Sequence, residues 1–305
     1  MSSKPKAYYL ECPEGKRHYN YKKFLVIGAP MAKITPTYGI TKNHIPYARF
    51  GRGGKTLLLW SGGPGNNIPR GMAFNLFSKG MTPLLDEYTI TLLTRKSGLS
   101  EGYTTRDMSD DYAELIRAEF DGHVDLIIGV SYGGIIVQHF AADYPEMFNH
   151  IVMIMAAHKI EPQGAQIDYR FAELLSQNKP RQAYALISQV IAPNRLMEVV
   201  YKGLMYLLGP SMLGKDNTET FRRDVLIEAE AEMEHDALDA IQRIQVPVLI
   251  MGGEQDKYFP VEYFQETAAM IPQPTLKIYP GRGHDLFGDV QASRDILVWV
   301  AGQLA

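Results

Sequence analysis

Three segments of the chain carry the residue types of nucleophilic catalysis. The first is Gly129-Val130-Ser131-Tyr132-Gly133-Gly134, which follows the apolar run VDLII at 124–128 and leads into the helical pattern IIVQHFAADYP. A G-x-S-x-G sequence between a strand and a helix sets its serine on a tight turn, where the flanking positions tolerate little side chain. The turn lifts the hydroxyl above the sheet beside a helix N-terminus, whose free N–H groups suit a developing oxyanion. The pattern occurs twice, because Gly98-Leu99-Ser100-Glu101-Gly102 also fits it. Context separates the two. Ser100 lies several residues beyond its strand, Tyr103-Thr104-Thr105 delays the next helix, and Glu101 would place a negative charge where N–H donors are needed. Ser131 is therefore the candidate nucleophile, and Ser100 reads as loop.

A serine hydroxyl needs a base at neutral pH. Of the eight histidines, His139 falls mid-helix, His123 and His150 flank strands, and His18 and His44 lie in the N-terminal region. His235 belongs to an acidic helical stretch, and His158 follows the strand after the nucleophile helix, where it could line the site. His284 differs, since Pro280-Gly281-Arg282-Gly283-His284-Asp285 comes just after the last apolar run, in a loop able to reach across the site. It is the candidate general base. The acid that orients it should come from the loop after the preceding strand. There Asp256 is the first choice and Glu254 its local rival, while Asp285 would have to fold back onto its neighbour. The glycine-rich turn Ser61-Gly62-Gly63-Pro64-Gly65 ends an earlier strand, so the backbone N–H groups of Gly63 and Tyr132 are the candidate oxyanion hole.

These residues must be held by strands and helices. Short apolar runs at 56–60, 88–93, 124–128, 151–155, 246–251 and 275–279 each suit a buried strand. Helical patterns lie near 69–79, 107–120, 133–143, 261–271 and 290–303, with Thr104, Thr105 and Asp107 available as caps for the second. Strand–helix alternation predicts an α/β fold with a mainly parallel sheet and helices on both faces. Two regions break the rhythm. Residues 38–50 suggest an antiparallel pair, and Tyr8 to Glu11 with Tyr21 to Ile27 suggest another around a PEGK turn. Residues 158–240 read as consecutive helices, a helical cap inserted into a discontinuous core of 1–157 and 241–305.

Composition sets the outer limits. With 31 basic and 34 acidic residues in 305, there is no electrostatic footprint for nucleic acid. A single cysteine, Cys12, excludes an internal disulfide framework. No apolar run approaches the ~18 residues that span a bilayer, and the first twenty residues lack a secretory core. The expectation is a cytoplasmic protein with no membrane partner, no metal and no organic cofactor, since no metal-ligand spacing is found. Whether residues 1–35 pack on the core or mediate a homodimer stays open.

Taken together, Ser61-Gly62-Gly63-Pro64-Gly65, the Ser131 elbow, Asp256 and Gly283-His284 resemble the α/β-hydrolase superfamily, in its form with a helical cap after the sixth strand. The resemblance runs over roughly residues 38–305 by order of elements. It also covers Leu93 to Ser100, where Arg95, Gly98 and Ser100 match a family loop while Leu93 and Lys96 do not. That makes the Ser100 motif a remnant of a structural loop. Ser61 stands where the family commonly has histidine, which implies different hydrogen bonds behind the oxyanion loop. The Gly-Gly-Pro-Gly stretch is similar to that of proline iminopeptidases, although Tyr132 takes the place of their usual tryptophan. A serine nucleophile implies neither a haloalkane dehalogenase nor an epoxide hydrolase.

The expected activity is acyl-enzyme hydrolysis of a carboxylic ester or lactone of a small, largely apolar molecule. The alternatives are an aminopeptidase, a carbon–carbon bond hydrolase or lyase with the same triad, and a non-catalytic ligand receptor. The run from Met197 to Leu213, with Met205 and Tyr206 as candidate substrate contacts, reads as packing or as an apolar lining. The following IEAEAEMEHDALDA reads as a solvated helix face. Its sharper reading is that Glu228, Glu230, Glu232 or Glu234 holds a substrate amine.

Overall fold

The computed structural model describes residues 34–63, 65–192, 195–213 and 217–303. The proposed N-terminal strands at Tyr8 to Glu11 and Tyr21 to Ile27 lie outside them. One eight-stranded sheet organises the described chain, in the order β1-β2-β4-β3-β5-β6-β7-β8. Its strands are β1 Thr37–Ile40, β2 Pro46–Gly51, β3 Lys55–Trp60, β4 Tyr88–Leu93, β5 Val124–Val130, β6 Phe148–Ile154, β7 Val248–Gly253 and β8 Pro274–Tyr279. β2 runs antiparallel to both β1 and β4, and every other pairing is parallel. The parallel strands are apolar on both faces because both faces are covered. Leu58, Trp60 and Ile127 enter one core cluster with α2 (Thr105–Glu119) and α3 (Tyr132–Asp143), while Leu57, Leu59, Leu126 and Ile128 enter the other. That second cluster includes Phe74 of α1 (Gly71–Gly80) and Trp299 of the C-terminal helix Val290–Gln303.

Local chemistry sets the boundaries. α2 begins two residues earlier than the 107–120 pattern because Thr104 and Asp107 form a reciprocal capping box. β6 begins three residues earlier than its apolar run, so His150 lies inside the strand and packs on Trp299 rather than flanking it. Between β6 and β7 come α4 Pro162–Ser176, α5 Pro180–Ile191, α6 Arg195–Leu208, α7 Pro210–Leu213, α8 Glu219–Met233 and α9 Leu238–Arg243, with no strand among the described residues. α4 and α8 share an apolar cluster of their own, with Phe171, Leu175, Phe221 and Val225 at its centre. α9 straddles position 240 and buries Ala240 and Ile241 in the core cluster that holds α3. The last helices are α10 Val261–Met270 and α11 Val290–Gln303. No helix among the described residues is long and apolar enough to cross a membrane.

The chain winds outward in two directions from β3, which has β4 on one side and β5 on the other. Ligands of open α/β sheets bind outside the carboxyl ends of strands at such a switch point. Gly63 follows β3 there, and Ser131 follows β5.

Candidate active site

Ser131 sits at the turn between β5 and α3 with φ of +50°, a conformation that costs a non-glycine residue free energy. Packing holds it there. Its N–H donates to Ile154 O at 2.8 Å, and its carbonyl accepts from Gly134 and Ile135 of α3. The elbow also closes tightly: a Cβ on Gly129 would stand 2.6 Å from Gly133 O. Across the turn, a Cβ on Gly62 would stand 2.9 Å from the Ser131 Cβ, so the β3 loop passes against the serine with no room for a side chain.

The loops after β7 and β8 bring in the other two groups. His284 Nε2 is 2.9 Å from Ser131 Oγ, and its Nδ1 is 2.8 Å from Asp256 Oδ2. The second oxygen of Asp256 accepts from the backbone N–H of Tyr258 and Phe259, at 2.9 and 3.0 Å. With Asp256 on Nδ1, the tautomer that leaves Nε2 free to take the serine proton is favoured. Glu254 has another job. Its carboxylate accepts the Gly281 N–H, tying the β7 loop to the loop that carries His284. Asp285 is turned away onto Gly283 N–H and Arg282. Ser100 is exposed in a turn, where its carbonyl accepts the Tyr103 N–H.

Tyr132 opens α3, where a first-turn N–H has no partner within the helix, and Gly63 follows β3 with φ of +72°. The residues behind the Gly63 loop were not assigned from sequence. Arg95, buried after β4, donates to the carbonyls of Ser61, Gly63 and Gly65 at 2.8, 2.5 and 2.6 Å. Glu228 of α8 is fully buried against it, 2.9 Å from Arg95 Nη2, and also accepts the Gly65 N–H at 2.6 Å. Arg95 and Glu228 together hold the Ser61–Gly65 turn from behind.

The acidic helix therefore departs from the expectation of a solvated face. Glu228 and Glu232 are buried, Glu230 is half-buried and Glu234 is exposed. Asp224, also buried, accepts the N–H groups of Gly98 and Leu99 at 2.8 and 2.9 Å. Glu232 hydrogen-bonds Asp168 of α4, and burial raises both carboxyls, Asp168 to about 6 and Glu232 well above the usual range. Two buried carboxyls this close hold a proton between them more readily than two charges. The remaining sequence candidates do not converge on Ser131. His158 is buried against α10, with Nδ1 3.0 Å from Thr267 Oγ1 and Nε2 facing Glu266. Met205 and Tyr206 lie on α6, which has no buried residue, and the Tyr206 ring faces Arg181 of α5. No cluster of three metal-ligating side chains occurs among the described residues.

The chain matches the Alpha/beta hydrolase family over residues 57–295, most of its length. It belongs to that family. This hydrolase is 25% identical to a probable acyltransferase of Methanothermobacter thermautotrophicus, over 66% of this chain and 67% of that one. It is 25% identical to 3-oxoadipate enol-lactonase 2 of Acinetobacter baylyi, over 76% of this chain and 83% of that one. Among solved structures, an alpha/beta hydrolase enzyme from a Medee basin deep-sea metagenome library shares the fold of the hydrolase. Its TM-score is 0.67 at 17% identity, covering 87% of this chain and 96% of that one.

Proposed function

We propose that this hydrolase cleaves a carboxylic ester or lactone of a small, largely apolar molecule through an acyl-enzyme on Ser131. The continuous line Asp256–His284–Ser131, bonded at both imidazole nitrogens, carries this reading. His284 removes the serine proton as Oγ attacks the carbonyl carbon, and Asp256 stabilises the imidazolium that forms. The N–H groups of Gly63 and Tyr132 receive the oxyanion. Collapse of the tetrahedral species expels the alcohol, which takes its proton from His284. Water, deprotonated by His284, then releases the acid and restores Ser131. The likeness to an enol-lactonase and a probable acyltransferase supports chemistry at an activated acyl group. The helices between β6 and β7 serve as a cap over the site, and the protein works in the cytoplasm without a metal or organic cofactor.

A fluorophosphonate probe tests the reading. Labelling of the wild type and its loss in Ser131→Ala are expected, and equal labelling of both would remove Ser131 as nucleophile. Short nitrophenyl esters run beside aminoacyl arylamides then settle the bond. A strong preference for a free N-terminal amine would replace the esterase reading by an aminopeptidase. Glu228, one of the acids that reading would use, is already paired with Arg95.

A further inference from the structure

Tyr258 touches both members of the Asp256–His284 pair and also the insertion. Its N–H donates to Asp256 Oδ1 at 2.9 Å, and its ring centroid lies 4.8 Å from that of His284. Its hydroxyl donates to Asp168 Oδ1 on α4 at 2.9 Å, and its carbonyl accepts the Glu161 N–H at 2.8 Å. The ring also lies against Gly164 of α4, where a Cβ would stand 2.6 Å from Tyr258 Cδ1. Asp168 is itself bonded to Glu232 of α8. One tyrosine thus spans the distance from the two insertion helices that pack on each other to the imidazole.

An imidazole that serves as general base has to face Asp256 and Ser131 at once. Its loop, at the edge of the sheet, leaves it half-buried, so the rings that pack on it must help the two hydrogen bonds resist rotation. A second aromatic, Phe259, lies 5.9 Å from it at an interplanar angle of 21°. Tyr258 is the nearer ring and the one whose far end is anchored. We propose that Tyr258 is a positioning residue for His284, and that its bond to Asp168 makes helix α4 part of the support of the general base. This rests on the reading of His284 as the base of a Ser131 hydrolase. A misplacement of about 1 Å in such a group can cost about 100-fold in rate, so loss of a ring in contact should appear in kcat rather than in KM.

The test uses the full chain with a nitrophenyl butyrate assay and proton NMR of the low-field imidazole N–H shared with Asp256. Tyr258→Leu should lower kcat by about 30-fold with KM within about twofold, and should broaden or remove the low-field signal. Tyr258→Phe keeps the ring and loses the anchor, and should lower kcat by about fivefold. Asp168→Leu should match Tyr258→Phe, the double variant should be no worse than either, and Asp168→Asn, still an acceptor, should retain most of the activity. A Tyr258→Leu protein with wild-type kcat and low-field signal overturns the proposal, and Asp168→Asn as impaired as Asp168→Leu overturns the anchor. If Tyr258→Leu fails to fold, the Tyr258→Phe and Asp168 variants decide. Failure of the wild type to label at Ser131 would overturn the hydrolase reading instead. The low-field signal, which needs no turnover, would then still decide the positioning role.

Discussion

Two helices of the insertion, α6 and α8, exchange the places that their compositions suggest. α6 carries Leu196, Val199, Val200, Leu204, Leu207 and Leu208, all exposed, and buries nothing. α8 carries five acidic residues between Glu219 and Glu232, yet eight of its residues are buried, Asp224, Glu228 and Glu232 among them. Average hydrophobicity is a poor guide here because burial of a charge depends on its partners. Each buried acid of α8 has one. Asp224 takes backbone N–H groups of the loop after β4, Glu228 takes Arg95 and Gly65, and Glu232 takes Asp168. The inner helix is held by polar bonds to the loops around Ser131, and the outer one is held by its contact with α5.

The largest expected effect comes from breaking the inner helix at its charge. Glu228→Ala leaves Arg95 buried without its counter-charge and the Gly65 N–H without an acceptor. Removing one partner of a buried pair costs about 3–5 kcal/mol, which urea unfolding at neutral pH would read. The same substitution frees the Ser61–Gly65 turn from its second anchor, so ester hydrolysis should fall by roughly 100-fold in the protein that remains folded. Stability within about 0.5 kcal/mol of wild type would show that Arg95 and its three carbonyls hold the loop unaided.

Ser131, Asp256 and His284 were legible because each follows an apolar strand at the same edge of the sheet, and chain order supplies the rest. The described strands and most helices were legible from apolar runs and caps. Arg95 and Glu228 were not, because their bond joins residues 133 positions apart. A signal was nonetheless present in α8. Asp224, Glu228 and Glu232 recur every four residues, between apolar rows that contain Phe221, Val225 and Ala229 on one side and Ile227 and Ala231 on the other. Acids on the apolar stripe of a helix must either meet partners or stay protonated. Total charge averages over the faces of the helix and so hides the pattern. His158 shows no such pattern, and the chain after β6 turns toward α10, where its N–H and Nδ1 both meet Thr267 Oγ1.

An intermediate effect is expected at the seam where the insertion meets the core. His235, just past α8, is buried with Nδ1 3.0 Å from Thr105 Oγ1, and His139 stands across from it. Burial, aided by His139 and His158, lowers its pKa to about 3. The unfolded chain therefore binds a proton between about pH 6.5 and 3 that the folded one rejects, and stability falls as pH drops through that window. The slope from this group is about 1.4 kcal/mol per pH unit. Unfolding curves at pH 7.5, 6.5 and 5.5 should show stability nearly flat over the first step and lower over the second. In His235→Leu the second step should shrink by about the contribution of one proton. An unchanged acid slope would mean that the histidine charges in place, with water reaching the seam between α8 and α2.

The smallest effect should come from the helix that looks most like core. Val199 and Leu207 of α6 are 72% and 67% exposed. Replacing both by glutamine removes little apolar surface from shelter, and glutamine sits comfortably in a helix, so stability should stay within about 0.5 kcal/mol of wild type. Glutamine at Val225 of α8, which is fully buried in the α4–α8 cluster, would instead place an amide among apolar neighbours. That costs about 1–3 kcal/mol on mutational scales. A panel of nitrophenyl esters from acetate to decanoate sharpens the contrast further. If the exposed aliphatics of α6 meet long acyl chains, the double variant loses the longest esters selectively while keeping its stability. If it loses stability without a change in chain-length preference, α6 is a packing element whose partner faces the leucines, and its composition would then be explained by folding rather than by substrate.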